Sequence, residues 1–351
     1  MKTAARALIS DFARHGGRID IARAAFPQVA RWTDLSTGIA PWPYPVGHVA
    51  GAAERLPDPL DLSALETAAA AFFGVDATRL VAVPGSDLAL RLLGAMLGGH
   101  LGNRSAAVVR PGYSGHLTMW GESAATECTA DALLAMAKTH DALVLARPNN
   151  PDGLVADSTQ LHAAAALLAE RGRYLIVDEA FADADAHHSL ASCDWPGLIV
   201  LRSFGKFFGL AGLRLGFVIA PPQIGERLRA LIGDWPISGP ALATGLAACR
   251  DTAWHREQRA RLHEASQRLA QMLCDHDIEI VGRTAFFILI SAERRDALFV
   301  HLALAGILTR PFDYAPGWLR IGLPREDSDW TRLDDALATW NAAWKTTGST
   351  Q

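Results

Sequence analysis

From Asp61 to Pro240 the chain alternates short, unbroken apolar runs with longer stretches of helical texture. The runs Leu80–Val83, Ala106–Val109, Ala142–Ala146, Tyr174–Val177, Ile199–Leu201 and Leu215–Ile219 are each bounded by polar, Gly or Pro residues. A continuous apolar run of that length predicts a strand buried on both faces, the kind found in a parallel sheet covered by helices. Intervening segments such as Ser158–Arg171 predict the covering helices. Ser63-Ala-Leu-Glu66 reads as a capping box opening a helix that Gly74 closes. Residues 46–240 are therefore expected to form a large α/β domain on a mostly parallel, doubly wound sheet.

Beyond Pro240 the texture changes. A charged amphipathic helix is expected over Thr252–Cys274, then strands at Ile278–Val281 and Phe286–Ile290 and a helix at Arg294–Ala305. Strands at Ile307–Arg310 and Trp318–Ile321 and a last helix at Asp329–Trp344 complete the pattern. Residues 241–351 thus read as a smaller α+β domain. Residues 1–45, rich in Gly and Pro, read as an arm with one short helix that joins it.

Composition narrows the function classes. Half of the 351 residues are apolar, enough for a large core in two domains. A net charge of −4 and a pI near 6.3 argue against nucleic acid or an anionic membrane surface as partner. Cys128, Cys193, Cys249 and Cys274 are far apart and form no CxxC pair. They read as free thiols of a cytoplasmic protein, with no metal site. Arg6 and Asp11 interrupt the apolar opening, so no signal peptide is expected. Runs such as Ala68–Phe73 and Ala163–Ala169 are too short to span a bilayer.

The sharpest chemical signal is Ser203-Phe-Gly-Lys206-Phe-Phe-Gly-Leu-Ala-Gly-Leu-Arg214. A lysine on a Gly-punctuated turn after a buried strand, in apolar surroundings, is primed as a nucleophile toward an aldehyde, because desolvation disfavours its ammonium form. Ser203 and Arg214 flank it and suit a dianionic phosphate. Gly85-Ser86-Asp87 stands between a strand and a helix, where backbone N–H groups favour an anion. Asp178 ends a strand at the carboxyl edge, where open α/β sheets bind ligands.

These motifs resemble, in order, those of fold-type I aminotransferases, which carry pyridoxal 5′-phosphate. The resemblance implies that Lys206 holds the cofactor as a Schiff base and that Gly85, Ser86, Asp87, Ser203 and Arg214 surround its phosphate. It implies that Tyr113, in Arg110-Pro-Gly-Tyr113, stacks on the ring and that Asn150, in Pro148-Asn-Asn-Pro151, bonds the phenolic oxygen. Asp178 would pair with the pyridine nitrogen, keeping the ring an electron sink. Arg320, in Trp318-Leu-Arg-Ile, would grip the substrate carboxylate, as its fork of donors allows.

Three positions depart from the commonest pattern: Phe181 in place of Tyr, Leu56 in Arg55-Leu-Pro-Asp58 in place of a Tyr that reaches the partner subunit, and Ala40 in place of Asn. The arm, with His15-Gly16-Gly17, Phe26-Pro27 and Asp34-Leu-Ser-Thr-Gly-Ile-Ala-Pro41, resembles threonine-phosphate decarboxylases of cobalamin biosynthesis, relatives of histidinol-phosphate aminotransferase. That subgroup tolerates Phe181 and the Leu-Pro-Asp segment. The resemblance implies a homodimer and a small phosphorylated amino-acid substrate. The substrate's phosphate needs cationic donors of its own, and Arg310, in Ile307-Leu-Thr-Arg310-Pro, is the candidate alongside Arg320, with His15 adding a donor from the arm. An aminotransferase acting on histidinol phosphate is the nearest alternative, since the same lysine serves both reactions. A nicotinamide dehydrogenase lacks support, because no GxGxxG follows the first strand.

Overall fold

The computed structural model describes residues 9–47, 49–98, 104–120 and 125–345. Residues 1–8, with Arg6, lie outside them. The chain divides into two compact units, Pro43–Arg259 and Met1–Trp42 with Ala260–Gln351. The expected boundaries were 45 and 240. The later one moves because the helix Gly239–Arg250 packs along Pro59–Phe73 and so belongs with the larger unit. The division then falls inside the helix Thr252–Asp275.

In chain order the strands are β1 (Thr33–Asp34), β2 (Leu80–Val83), β3 (Ala106–Val109), β4 (Ala125–Cys128), β5 (Ala142–Ala146), β6 (Tyr174–Asp178), β7 (Leu198–Ser203) and β8 (Gly216–Ile219). β9 (Glu279–Arg283), β10 (Phe287–Ser291), β11 (Ile307–Leu308), β12 (Arg310–Pro311) and β13 (Trp318–Gly322) follow.

In the larger unit seven strands form one sheet in the order β2-β8-β7-β6-β5-β3-β4. Neighbours from β7 through β4 are parallel, whereas β8 is antiparallel to both β2 and β7. β2 therefore runs with the parallel strands, and its C-terminal end shares an edge with theirs. The expected mostly parallel sheet is observed. β4 went unread because it is an edge strand: Thr126 and Glu127 face solvent, which breaks the apolar run.

The first long helix corrects the sequence reading. It spans Pro59–Phe73, and its cap is Asp58, whose carboxylate accepts from Leu60 N, with proline at the first position. Ser63 lies inside the helix. Glu66 is no capping partner: it is buried, and its Oε1 accepts from Ala82 N at 2.9 Å and from Arg229 Nη1 at 2.8 Å, tying the helix to β2. Gly74, left-handed at φ 68°, closes the helix as expected.

The smaller unit carries a four-stranded antiparallel sheet in the order β12-β13-β10-β9. The N-terminal arm reaches it through β1, which pairs in parallel with β11. Among the described residues, no helix is long and apolar enough to cross a membrane, and no cluster of side chains could hold a metal ion. The four cysteines are free.

Candidate active site

In the larger unit the carboxyl edge of the sheet borders a cavity of about 320 Å³. Every residue expected at the cofactor, from Gly85 to Arg214, lines it.

One end of the cavity is built for an anion. The helix Ser86–Leu97 begins at Ser86 with Gly85 as its cap, so its first N–H groups lack helical partners. Gly85 has φ +90°, and a methyl group there would come within 2.6 Å of Arg214 Nη2, so only glycine admits the guanidinium. Arg214 is itself left-handed at φ 53°, an uncommon conformation for a residue with a side chain, stored where that side chain is needed. Ser203, last residue of β7, joins them.

The Asp87 side chain has a part that its motif does not show. Its Oδ1 accepts from the Tyr113 hydroxyl at 2.8 Å and its Oδ2 from Arg91 Nε at 3.2 Å. A carboxylate accepts and cannot donate to a phosphate, so only the backbone of Asp87 can serve an anion. Its side chain fixes the ring of Tyr113 instead. Burial, with Asp87 beside it, raises the Tyr113 pKa and keeps the phenol protonated.

Asp178, at the end of β6, is 7% exposed; its Oδ1 accepts from Ala180 N at 3.1 Å and its Oδ2 meets His116 Nε2 at 3.1 Å. His116 is fully buried, and its Nδ1 has no hydrogen-bond partner among the described residues. Facing a carboxylate, which only accepts, the His116 Nε2–H donates to Asp178 and holds it in place. This histidine was not foreseen. Its only sequence signal is a spacing of three from Tyr113 at the start of the helix Ser114–Trp120. Replacing His116 with Ala is expected to weaken cofactor binding about tenfold, as loss of one hydrogen bond to a buried charge does. Equilibrium dialysis of cofactor against wild type and variant measures it.

Lys206 sits in the single helical turn Phe204–Phe207 directly after β7, half-buried, with Nζ 5.4 Å from the centre of the Phe181 ring. Beneath it Phe204, Phe207 and Phe208 are fully buried. The turn is anchored by Gln258 Nε2 donating to Phe207 O at 2.9 Å and by Tyr44 N donating to Phe208 O at 2.9 Å. Phe181 offers no hydroxyl, so the cavity has an aromatic face where Tyr would place a donor. Asn150 lines the cavity too. The set suits a flat aromatic group with a dianion at one end, a basic ring nitrogen toward Asp178 and an electrophilic carbon toward Lys206.

The chain matches the family described as aminotransferase class I and II over residues 49–336. The chain belongs to this family. Within it, the chain is 41% identical over 336 residues to a threonine-phosphate decarboxylase of Pseudomonas aeruginosa, covering 92% of this chain and 96% of that one. It is 37% identical to a threonine-phosphate decarboxylase of a Sinorhizobium species, with 92% and 97% covered. The crystal structure of histidinol-phosphate aminotransferase from Sinorhizobium meliloti in complex with pyridoxal-5′-phosphate superimposes with a TM-score of 0.79 at 20% identity, covering 92% of this chain and 94% of that one. The aminotransferase fold and the expectation of this family are thereby met.

The three expected substrate residues lie in the smaller unit. Arg310 and Arg320 are opposed partners across β12 and β13. Arg320 is buried, with its guanidinium 4.7 Å from the centre of the Phe287 ring. Burial first, and then the charge of Arg310, pushes the Arg320 pKa down. An anion bound to the pair would reverse both effects. His15 is exposed and follows Arg14, whose carbonyl accepts from Arg310 Nη2 at 2.7 Å.

Proposed function

We propose that this chain is a pyridoxal-phosphate-dependent decarboxylase. It converts L-threonine O-3-phosphate to carbon dioxide and 1-amino-2-propanol O-2-phosphate in cobalamin biosynthesis, as a cytoplasmic homodimer. The observation that carries the reading is the shared cavity of Lys206, Asp178 and Arg214 in a chain similar over nearly its whole length to threonine-phosphate decarboxylases.

Bound pyridoxal phosphate supplies an electron sink conjugated to the substrate's Cα. Ser86, Ser203 and Arg214 would hold its phosphate, Tyr113 and Asn150 would meet its ring and phenolic oxygen, and Asp178, steadied by His116, would keep a proton on the ring nitrogen. The substrate's two anionic groups fall to Arg320, Arg310 and His15, with Arg320 on the carboxylate. By gripping the substrate they would decide which bond at Cα is given up: the bond to the carboxylate, with release of carbon dioxide, or the bond to hydrogen, the outcome of an aminotransferase. The Lys206 amine then returns a proton to Cα. For the homodimer, support comes from Leu56, Leu60 and Trp235, which are 67%, 78% and 56% exposed in the single chain.

Cofactor-loaded protein mixed with L-threonine O-3-phosphate is expected to release carbon dioxide with no 2-oxo acid present. Absence of release, with conversion of the cofactor to its amine form by histidinol phosphate, would make the chain an aminotransferase.

A further inference from the structure

The His15-Gly16-Gly17 motif is brought onto Ser36, nineteen residues downstream of Gly17. A methyl group on Gly16 would lie 2.5 Å from Ser36 O, so the arm can approach this closely only with glycine there. Gly17, at φ +78°, donates its N–H to Ser36 Oγ at 2.8 Å. The two segments joined in this way each present one carbonyl to one arginine. Ser36 O accepts from Arg320 Nη2 at 2.8 Å, and Arg14 O accepts from Arg310 Nη2 at 2.7 Å. Arg310 and Arg320 are themselves direct partners across β12 and β13.

Two guanidinium groups on opposed strand positions repel each other, and something must hold them side by side. A carboxylate would do so by cancelling their charge. A main-chain carbonyl orients a guanidinium and leaves its full positive charge for a ligand. Asp34, two residues before Ser36, hydrogen-bonds Ser36, its Oδ1 accepting from Ser36 N at 2.9 Å and from Ser36 Oγ at 2.5 Å, and its charge also acts on Arg320. Ser36 thus contacts the arm, the acid and one arginine.

We propose that Gly16, Gly17 and Ser36 are positioning residues: their contact sets the spacing of the Arg14 and Ser36 carbonyls, and through them the spacing of the Arg310–Arg320 pair that grips a doubly anionic substrate. The proposal rests on the reading of Arg310 and Arg320 as the substrate's anion ligands. It adds that the arm shapes the pair through backbone acceptors.

The test uses the holoenzyme and carbon dioxide release against L-threonine O-3-phosphate concentration. Six variants are compared: Gly16→Ala, Ser36→Ala, Ser36→Thr, Arg310→Ala, Arg320→Ala and the Ser36→Ala/Arg320→Ala double variant. Cofactor affinity and melting temperature are recorded for each. Misplacing the pair by a fraction of an ångström is expected to raise KM about tenfold in Gly16→Ala and Ser36→Ala, with kcat within about threefold of wild type. Cofactor affinity stays at the wild-type value, while the melting temperature falls somewhat, since each change also loses part of the Gly16–Ser36 contact. Ser36→Thr, which keeps the hydroxyl, restores KM. Added to Arg320→Ala, Ser36→Ala has a smaller effect than it has alone, because part of its action passes through that side chain. If Gly16→Ala does not fold, Ser36→Ala decides alone. A wild-type KM in Ser36→Ala beside a raised KM in the arginine variants overturns the positioning role and leaves the arginine reading intact. Wild-type KM in both arginine variants overturns both. A loss of stability or cofactor with KM unchanged reduces the contact to a structural one and also overturns the proposal.

Discussion

Lys206→Ala is expected to fold as the wild type does and to lose turnover by about 10⁴-fold, the upper range for removing a group that moves a proton in the transition state. Folding should survive because the turn that carries Lys206 is held from below and not by its amine. Phe204, Phe207 and Phe208 are fully buried, and Phe208 stacks on Trp254 with ring centres 5.5 Å apart. The anchoring bonds from Gln258 and Tyr44 end on backbone carbonyls that the substitution leaves in place. Turnover should fail because, among the described residues, Lys206 is the one amine lining the cavity. Far-ultraviolet circular dichroism and the melting temperature check the first half; single-turnover release of carbon dioxide checks the second. Borohydride treatment followed by peptide mapping gives an independent reading. It should fix cofactor on the wild-type peptide containing Lys206 and on no peptide of the variant. A variant that keeps turnover within tenfold of wild type would remove Lys206 from the chemistry and take the functional reading with it.

The parts of this site that could be read from sequence share one property. Gly85, Ser86, Asp178, Ser203, Lys206 and Arg214 stand at or just past the C-terminal ends of β2, β6 and β7 or lead into β8. Apolar runs mark such ends without any three-dimensional knowledge, and in an open α/β sheet they share one edge. What escaped notice depends on contacts distant in sequence. His116 matters because it meets Asp178, 62 positions away, and nothing local in its helix shows this. The seat of Gly17 on Ser36 and of Arg310 on Arg14 O is likewise a product of folding. The Asp87 carboxylate meets Tyr113, 26 positions away, which its place in the motif does not show. The misread helix start has a local cause: Ser63 and Glu66 match a capping box, but Asp58 followed by Pro59 offers a cap and a preset first turn five residues earlier.

The largest loss of stability should come from a residue that never faces the cavity. Arg202 precedes Ser203 on β7, is 2% exposed, and lies between two buried acids. Its Nη1 donates to Glu179 Oε2 at 2.6 Å and to Ser189 Oγ at 2.9 Å, and its Nη2 donates to Asp183. Glu179, which follows Asp178 on β6, also accepts from Leu190 N at 2.6 Å. Burial works against the charge on Arg202, but Asp183 and Glu179 outweigh it and raise its pKa. Because side chains alternate along a strand, Glu179 and Arg202 point away from the face to which Asp178 and Ser203 turn, and their pairing joins β6 to β7 just behind the cavity. Arg202→Met keeps most of the volume and leaves two carboxylates buried without their cation. That should cost about 3–5 kcal/mol, the range for breaking a buried ion pair from one side. Adding Glu179→Gln and Asp183→Asn to Arg202→Met removes the uncompensated charge, and more than half of the loss should return. Urea unfolding of the three proteins, with cofactor absent throughout, measures both steps. A single variant within about 1 kcal/mol of wild type, the range of an exposed pair, would show that water reaches the cluster and that it does not tie the two strands together.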